Sequence, residues 1–137
     1  MRENLFRGKR LGIGEWVEGY FFKAKLYRSD DELSEFITVP RPEVKGLSSD
    51  DFLVDPDTVG QFTGLTDKNG TKIFEGDIVK YGDHLMVVVW YEFLASFMLA
   101  FSIDGNYHET MSNSHIYLEV IGNIHDNPKL LEVEDGK

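Results

Sequence analysis

The sequence predicts a mostly β protein: a small, mainly antiparallel barrel preceded by an N-terminal β extension, the two joined by an acidic linking loop. Three observations predict it. From Val54 onward, short apolar runs alternate with closely spaced turn signals at Asp55-Pro56, Gly60, Gly64, Asn69-Gly70, Gly76-Asp77, Gly82-Asp83 and Asp104-Gly105, the punctuation of a sandwich or barrel. Residues 15–26, EWVEGYFFKAKL, alternate with period two over aromatic side chains, which suits a strand with one wet face. At 137 residues, 42% apolar and 13% aromatic, the chain is long enough for one core and has the composition of an ordinary globular domain.

In chain order, Gly12 and Gly14 supply a turn before the strand at residues 15–26. Residues 28–57 read as a connecting segment, because SDDELSEF carries consecutive acids and Pro40 and Pro42 remove backbone donors. Asp30 and Asp31 are N-cap candidates for a single helical turn there. Strands follow at residues 59–63, 71–74, 78–81, 85–91, 97–103 and 116–124. Asn69-Gly70 is expected to form a tight hairpin turn with positive φ at both central positions. Residues 86–90 are apolar on both alternating sets, so both faces of that strand should be covered, the outer one by the N-terminal segment. A short helix at residues 93–96 is an alternative to a plain turn. Asn127-Pro128 ends the last strand, residues 129–131 pack back, and residues 132–137 form a frayed tail. The whole reads as a single domain, with residues 1–57 as extension and link and residues 58–131 as barrel.

Composition narrows the function classes. With no cysteine there is no disulfide framework, thiolate zinc site or thiol nucleophile. The N-terminus lacks the apolar core and cleavage site of a secretory signal, so residence in the cytoplasm is expected. The apolar run over residues 85–101 contains one charge, Glu92; it is shorter than the roughly 20 residues a spanning helix needs and lacks basic flanks, so we expect buried strands there and no membrane span. The net charge of -10 is distributed as about +4 over residues 1–28, about -7 over 29–57 and about -7 beyond. That balance opposes an overall nucleic-acid footprint and favours solubility.

Catalytic and metal motifs fail on spacing. Placing Gly70 of DKNG at the sixth position of a calcium loop puts Leu65 first and Gly76 twelfth, where carboxylates are needed. His84, His108, His115 and His125 show no paired ligand spacing, leaving only a distant assembly such as His108, Glu109 and His115. Ser112-Asn113-Ser114-His115 has no nucleophile-elbow context, and neighbours on a strand point to opposite faces. Gly12-Ile13-Gly14 lacks the third glycine of a dinucleotide loop and reads as a turn. No cofactor, metal site or enzymatic activity is expected.

The order Asp55-Pro56-Asp57-Thr58-Val59-Gly60-Gln61-Phe62-Thr63-Gly64-Leu65, then Asp67-Lys68-Asn69-Gly70 and Ile73-Phe74-Glu75-Gly76-Asp77-Ile78-Val79, resembles the YopX family pattern almost throughout. Ile121-Gly122-Asn123-Ile124-His125-Asp126-Asn127-Pro128 extends the resemblance; the residues before Trp16 and the acidic link fit it loosely. It implies an SH3-like barrel, phage or prophage origin and self-association, and it carries over no catalytic or binding residues. Physically the signature reads as turns and core. The alternative is that Thr63, Asp67, Glu75 and Asp77 line a recognition surface.

The expected function is a non-catalytic, self-associating accessory protein that presents a surface to itself and to a host or phage protein. Arg2, Arg7, Lys9, Arg10 and Trp16, the one basic cluster with an aromatic, are the candidate interaction surface. A nucleic-acid-associated small barrel using that cluster, or an acidic DNA mimic using the segment at 29–57, is the competing reading.

Overall fold

The computed structural model describes residues 4–25, 33–40, 49–102, 107–111 and 114–131. Eleven strands occur among these residues, every pairing between them is antiparallel, and they divide into two compact units at Gln61/Phe62. Two expectations, the helical turn at Asp30-Asp31 and the tail at 132–137, lie outside the described residues.

The N-terminal unit is built on β1 (Phe6–Lys9), β2 (Trp16–Ala24), β3 (Ser34–Pro40) and β4 (Ser49–Leu53). They pair in the order β4-β3-β2-β1, and the first residues of β5 (Gly60–Thr66) continue on β1 through Phe6↔Gln61 and Arg7↔Gly60. Within the expected link, residues 34–40 and 49–53 thus contribute strands. Phe36-Ile37-Thr38-Val39 is an aromatic followed by three β-branched residues, which outweighs the acids around it, and Ile37 is fully buried. The acids at the start of β4 are tolerated because charge is compatible with an edge strand. β1 is likewise a strand that the turn-rich reading of the N-terminus did not assign.

The chain just after β1 also bonds to the chain around the end of β4. Val54 bridges to Arg10, Leu11 N–H donates to the Leu53 carbonyl at 3.1 Å, and Asp55 N–H donates to the Lys9 carbonyl at 2.8 Å. Ile37 and Val54 are fully buried, and two glycines make room for them. A Cβ on Gly19 would overlap the Thr38 carbonyl oxygen, and one on Gly8 would press on Val54 and Ile37 at 3.2–3.3 Å.

In the C-terminal unit, β7 (Asp77–Tyr81), β8 (His84–Tyr91), β9 (Ser96–Ala100), β10 (Tyr107–Thr110) and β11 (Leu118–Asn123) form a sheet of order β10-β9-β8-β7-β11. The remainder of β5 pairs with β6 (Lys72–Phe74) as a hairpin. The expected closed barrel is not formed. β7 to β10 run as an open meander and β11 returns to pair with β7, so the end strands are β10 and β11, which do not pair with each other among the described residues. Short turns join β7 to β8 and β8 to β9, but among the described residues no bond closes the sheet on itself.

One face of this sheet carries Val79, Met86, Val88, Leu99 and Leu118, packed with Ile73 and Met111 as the core. Ile78, Val87 and Ala100, of opposite alternation, are also fully buried. Met86, Val87 and Val88 are therefore covered on both faces, as the unbroken apolar run requires. The coverage stops at Trp90, which is 41% exposed. The run over 85–101 is two strands and a turn, and no helix among the described residues is long and apolar enough to cross a membrane.

Candidate functional site

Asp55 opens the family-like signature by accepting from Asp57 N–H at 3.1 Å, which caps the short 3-10 turn Pro56–Thr58. Thr58 is buried. Its hydroxyl donates to the Asp55 carbonyl at 2.7 Å and accepts from Lys9 N–H at 2.9 Å. DPDT is therefore a clip that fixes the end of β1.

Thr63 and Gly64 sit where β5 slips register against β6, between the pairs Phe62↔Phe74 and Thr66↔Lys72. Extra residues on one strand form a bulge. The buried Thr63 hydroxyl donates to the Ile73 carbonyl at 2.8 Å and accepts from Leu65 N–H at 3.2 Å. Backbone groups that the bulge takes out of the ladder thereby keep partners.

The following turn differs from the expected two-residue hairpin. Gly70 N–H donates to the Asp67 carbonyl at 3.0 Å and Asp67 N–H to the Thr71 carbonyl at 2.8 Å, so the loop is Lys68-Asn69-Gly70. Gly70 has φ +84°, whereas Ala95 is the single non-glycine with positive φ among the described residues. Only Gly70 takes the left-handed position, at the end of a three-residue loop. Asp67 selects this form, since its Oδ1 accepts from Asn69 N–H at 2.8 Å and Thr71 N–H at 2.9 Å. Its Oδ2 accepts from Val120 N–H at 2.9 Å, and Lys68 N–H donates to the Leu118 carbonyl at 3.0 Å. The carboxylate thus clasps the β5–β6 turn to the outer edge of β11, 53 residues away. Burial pushes the Asp67 carboxyl up, but donation from Val120, Thr71 and Asn69 and the nearby Lys68 charge outweigh it and hold it below its ordinary value.

Asp77 is also buried, and its Oδ2 accepts from Phe74 N–H at 2.7 Å. Three of the four residues considered for a recognition surface, Thr63, Asp67 and Asp77, therefore face inward, and that alternative is not supported. Glu75 is half-buried. The C-terminal block behaves in the same way. Asn123 Oδ1 accepts from His125 and Asp126 N–H at 3.0 and 2.9 Å, while Asn127 Oδ1 accepts from Asn123 N–H at 3.2 Å. Both blocks are consumed in holding turns.

The basic cluster is divided by strand alternation. Arg7 and Lys9 share a face of β1, opposite Glu18 and Trp16 of β2. The Arg7 guanidinium lies 4.8 Å and Lys9 Nζ 5.5 Å from the centre of the Trp16 ring, within cation-π range. Arg10 belongs to the other face. Its guanidinium lies 4.6 Å from the Phe52 ring and pairs with Glu15 at 3.0 Å. Arg2 lies outside the described residues. Arg7, Lys9 and Trp16 come together, and Arg10 does not join them.

Ser114 and His115 diverge as expected. The serine hydroxyl donates to the Thr110 carbonyl at 3.4 Å, whereas His115 Nδ1 lies 2.8 Å from the Thr66 carbonyl. The side chains of His108 and Glu109 and the pair Ser112-Asn113 fall outside the described residues. Gly12 and Gly14, both at φ +82°, form the β1–β2 turn. Among the described residues no group of three His, Asp or Glu side chains is placed to hold a metal ion.

The end of the β8–β9 hairpin is a short helical turn, as the sequence allowed, but its exposure was not assigned residue by residue. A 3-10 turn at Glu92–Leu94, close to the short helix considered at 93–96, ends in Ala95 at φ 50°. Phe93 is 87% and Leu94 55% exposed there, a few residues after the half-exposed Trp90. Trp90 packs edge-on against Phe97 at 4.9 Å and Tyr91 lies 6.1 Å from Phe93. The signal was available in FL at a chain reversal, but it was absorbed into a run that looked like core. A third 3-10 turn, His115–Tyr117, replaces the first residues of the expected last strand and leaves Ile116 and Tyr117 exposed. Tyr117 lines a shallow crevice of about 500 Å³ with Lys68, Lys80, Tyr81, Gly82 and Glu119.

The family model described as YopX protein matches residues 6–132. The chain is also similar to the crystal structure of protein EF1440 from Enterococcus faecalis, at 24% identity and a TM-score of 0.52, over 96% of this chain and 99% of that one. That likeness is one of fold. Among curated proteins none matches the chain.

Proposed function

We propose, for a chain that belongs to the YopX family, that it is a non-catalytic, self-associating protein-interaction module, an accessory protein of a phage or prophage working in the host cytoplasm. The supporting observation is the β8–β9 hairpin end, where Trp90, Phe93 and Leu94 expose apolar area that the core of the unit does not use. Exposed apolar side chains gathered at one hairpin end suit a contact surface. The polar residues of the family signature have inward tasks, which moves recognition away from them.

The N-terminal face carries the competing reading of nucleic-acid association. Arg7 and Lys9 flank Trp16 as they would to combine phosphate contacts with a stacking ring. Those same contacts already occupy the ring, and the net charge of -10 opposes a polyanion. The acidic-mimic reading fares less well, because part of the acidic segment is structured as β3 and β4.

Light scattering across a micromolar concentration series is the test. Wild type is expected to form an oligomer that Phe93→Ser, alone or with Leu94→Ser, dissociates without loss of the far-ultraviolet β signal. A wild-type monomer at high micromolar concentration removes the proposal, and salt-dependent binding of an oligonucleotide in the same series would favour the N-terminal face instead.

A further inference from the structure

Asn69-Gly70 combines a reactive sequence with a structure that controls it. Asn69 is exposed at the loop tip, and its carboxamide has no hydrogen-bond partner among the described residues. Gly70 is exposed and has open space where a Cβ would stand, so no side chain shields its backbone nitrogen. A free carboxamide and an unhindered following nitrogen are what intramolecular ring closure requires. We propose that Asn69 is a site of spontaneous deamidation, gated by the Asp67 clasp.

In the reaction the Gly70 backbone nitrogen attacks Asn69 Cγ. A C–N bond forms, the side-chain nitrogen leaves as ammonia carrying the proton from Gly70 N–H, and a five-membered succinimide remains. Water then opens the ring at either carbonyl, giving Asp or isoAsp at position 69. No oxidant, metal or enzyme is needed.

The closed turn resists this step. Asn69 occupies the third position of the turn Asp67–Gly70, where the backbone holds ψ near 0°, and the succinimide requires rotation away from that value. Gly70 N–H is engaged by the Asp67 carbonyl at 3.0 Å. Asp67 Oδ1 grips the chain on both sides of the reacting bond, through Asn69 N–H and Thr71 N–H. Reaction therefore proceeds from the opened turn, and the carboxylate sets how often it opens. The product acts back on the gate. An isoAsp adds a methylene to the main chain of a three-residue loop, so Asn69 and Thr71 N–H no longer converge on one oxygen, and the cap on β11 is released with them.

The folded wild-type protein, held in mildly alkaline buffer, is digested at intervals and followed by peptide mass spectrometry. Asn69 is expected to gain one mass unit before Asn4, Asn106, Asn113, Asn123 or Asn127, and to yield an Asp and isoAsp mixture. Asp67→Ser is expected to react several-fold faster. Sub-denaturing urea, which opens the turn without a mutation, is expected to accelerate the wild type alike. Conversion of another asparagine before Asn69 overturns the site, and a rate unchanged by both urea and Asp67→Ser overturns the gate.

Discussion

Asp67 shows how much structure one short side chain can specify. Removing it leaves three backbone N–H groups without their acceptor, one of them on a part-buried strand. Hydrogen bonds to a charged group contribute about 2–3 kcal/mol when lost with their partners stranded, so Asp67→Ala is expected to destabilise by about that amount in urea unfolding. Because the folded carboxyl titrates below its ordinary value of 3.8, its contribution is complete above that pH and lost as the pH falls through the folded value. The gap between wild type and Asp67→Ala should therefore be constant near neutrality and shrink in acid. A gap that persisted at low pH would mean that the side chain acts by shape alone. The sequence made Asp67 visible as a turn residue, because DKNG is local chemistry. Its bond to Val120 was not legible, since nothing in the spacing of two residues so far apart shows that they meet.

Among the elements, those with strong local patterns were readable and those defined by their neighbours were not. Asn69-Gly70 and the apolar run at 86–90 announced β5–β6 and β8. β3 was hidden, because acids and prolines around residues 34–40 obscured a four-residue run of strand formers whose meaning depends on Ile37 finding room beside Gly8 and Gly19. The pairing of β2 with β3 also depends on what is missing from β2. Gly19 faces the Thr38 carbonyl so closely that no side chain fits. Gly19→Ala must push the strands apart at a point where overpacking costs about 1–3 kcal/mol, and thermal unfolding is expected to report a loss in that range. An unchanged midpoint would place the β2–β3 register elsewhere. The basic cluster taught the complementary lesson: nearness in sequence suggested one surface, and alternation along β1 sent Arg10 to the opposite face.

For the molecule as a whole, fold class was legible and closure was not. Turn frequency and aromatic alternation give β structure with short connections, but whether a meander closes depends on strand tilt and stagger, quantities that a pattern of apolar residues does not contain. The sheet instead ends at β11, where a side chain stands in for the next strand. This ending also belongs to the time course of folding. Hairpins such as β7–β8 bring together residues close in the chain, whereas the bond between Asp67 and Val120 closes a loop of 53 residues, and such contacts cost more chain entropy before they return anything. The clasp is therefore expected to form after the rate-limiting step. In stopped-flow experiments Asp67→Ala should leave the refolding rate nearly unchanged and accelerate unfolding, a φ-value near zero; a slowed refolding limb would put the clasp in the nucleus. The carboxylate that caps the sheet would then act mainly as a brake on its opening, setting the lifetime of the folded chain more than the speed at which it is reached.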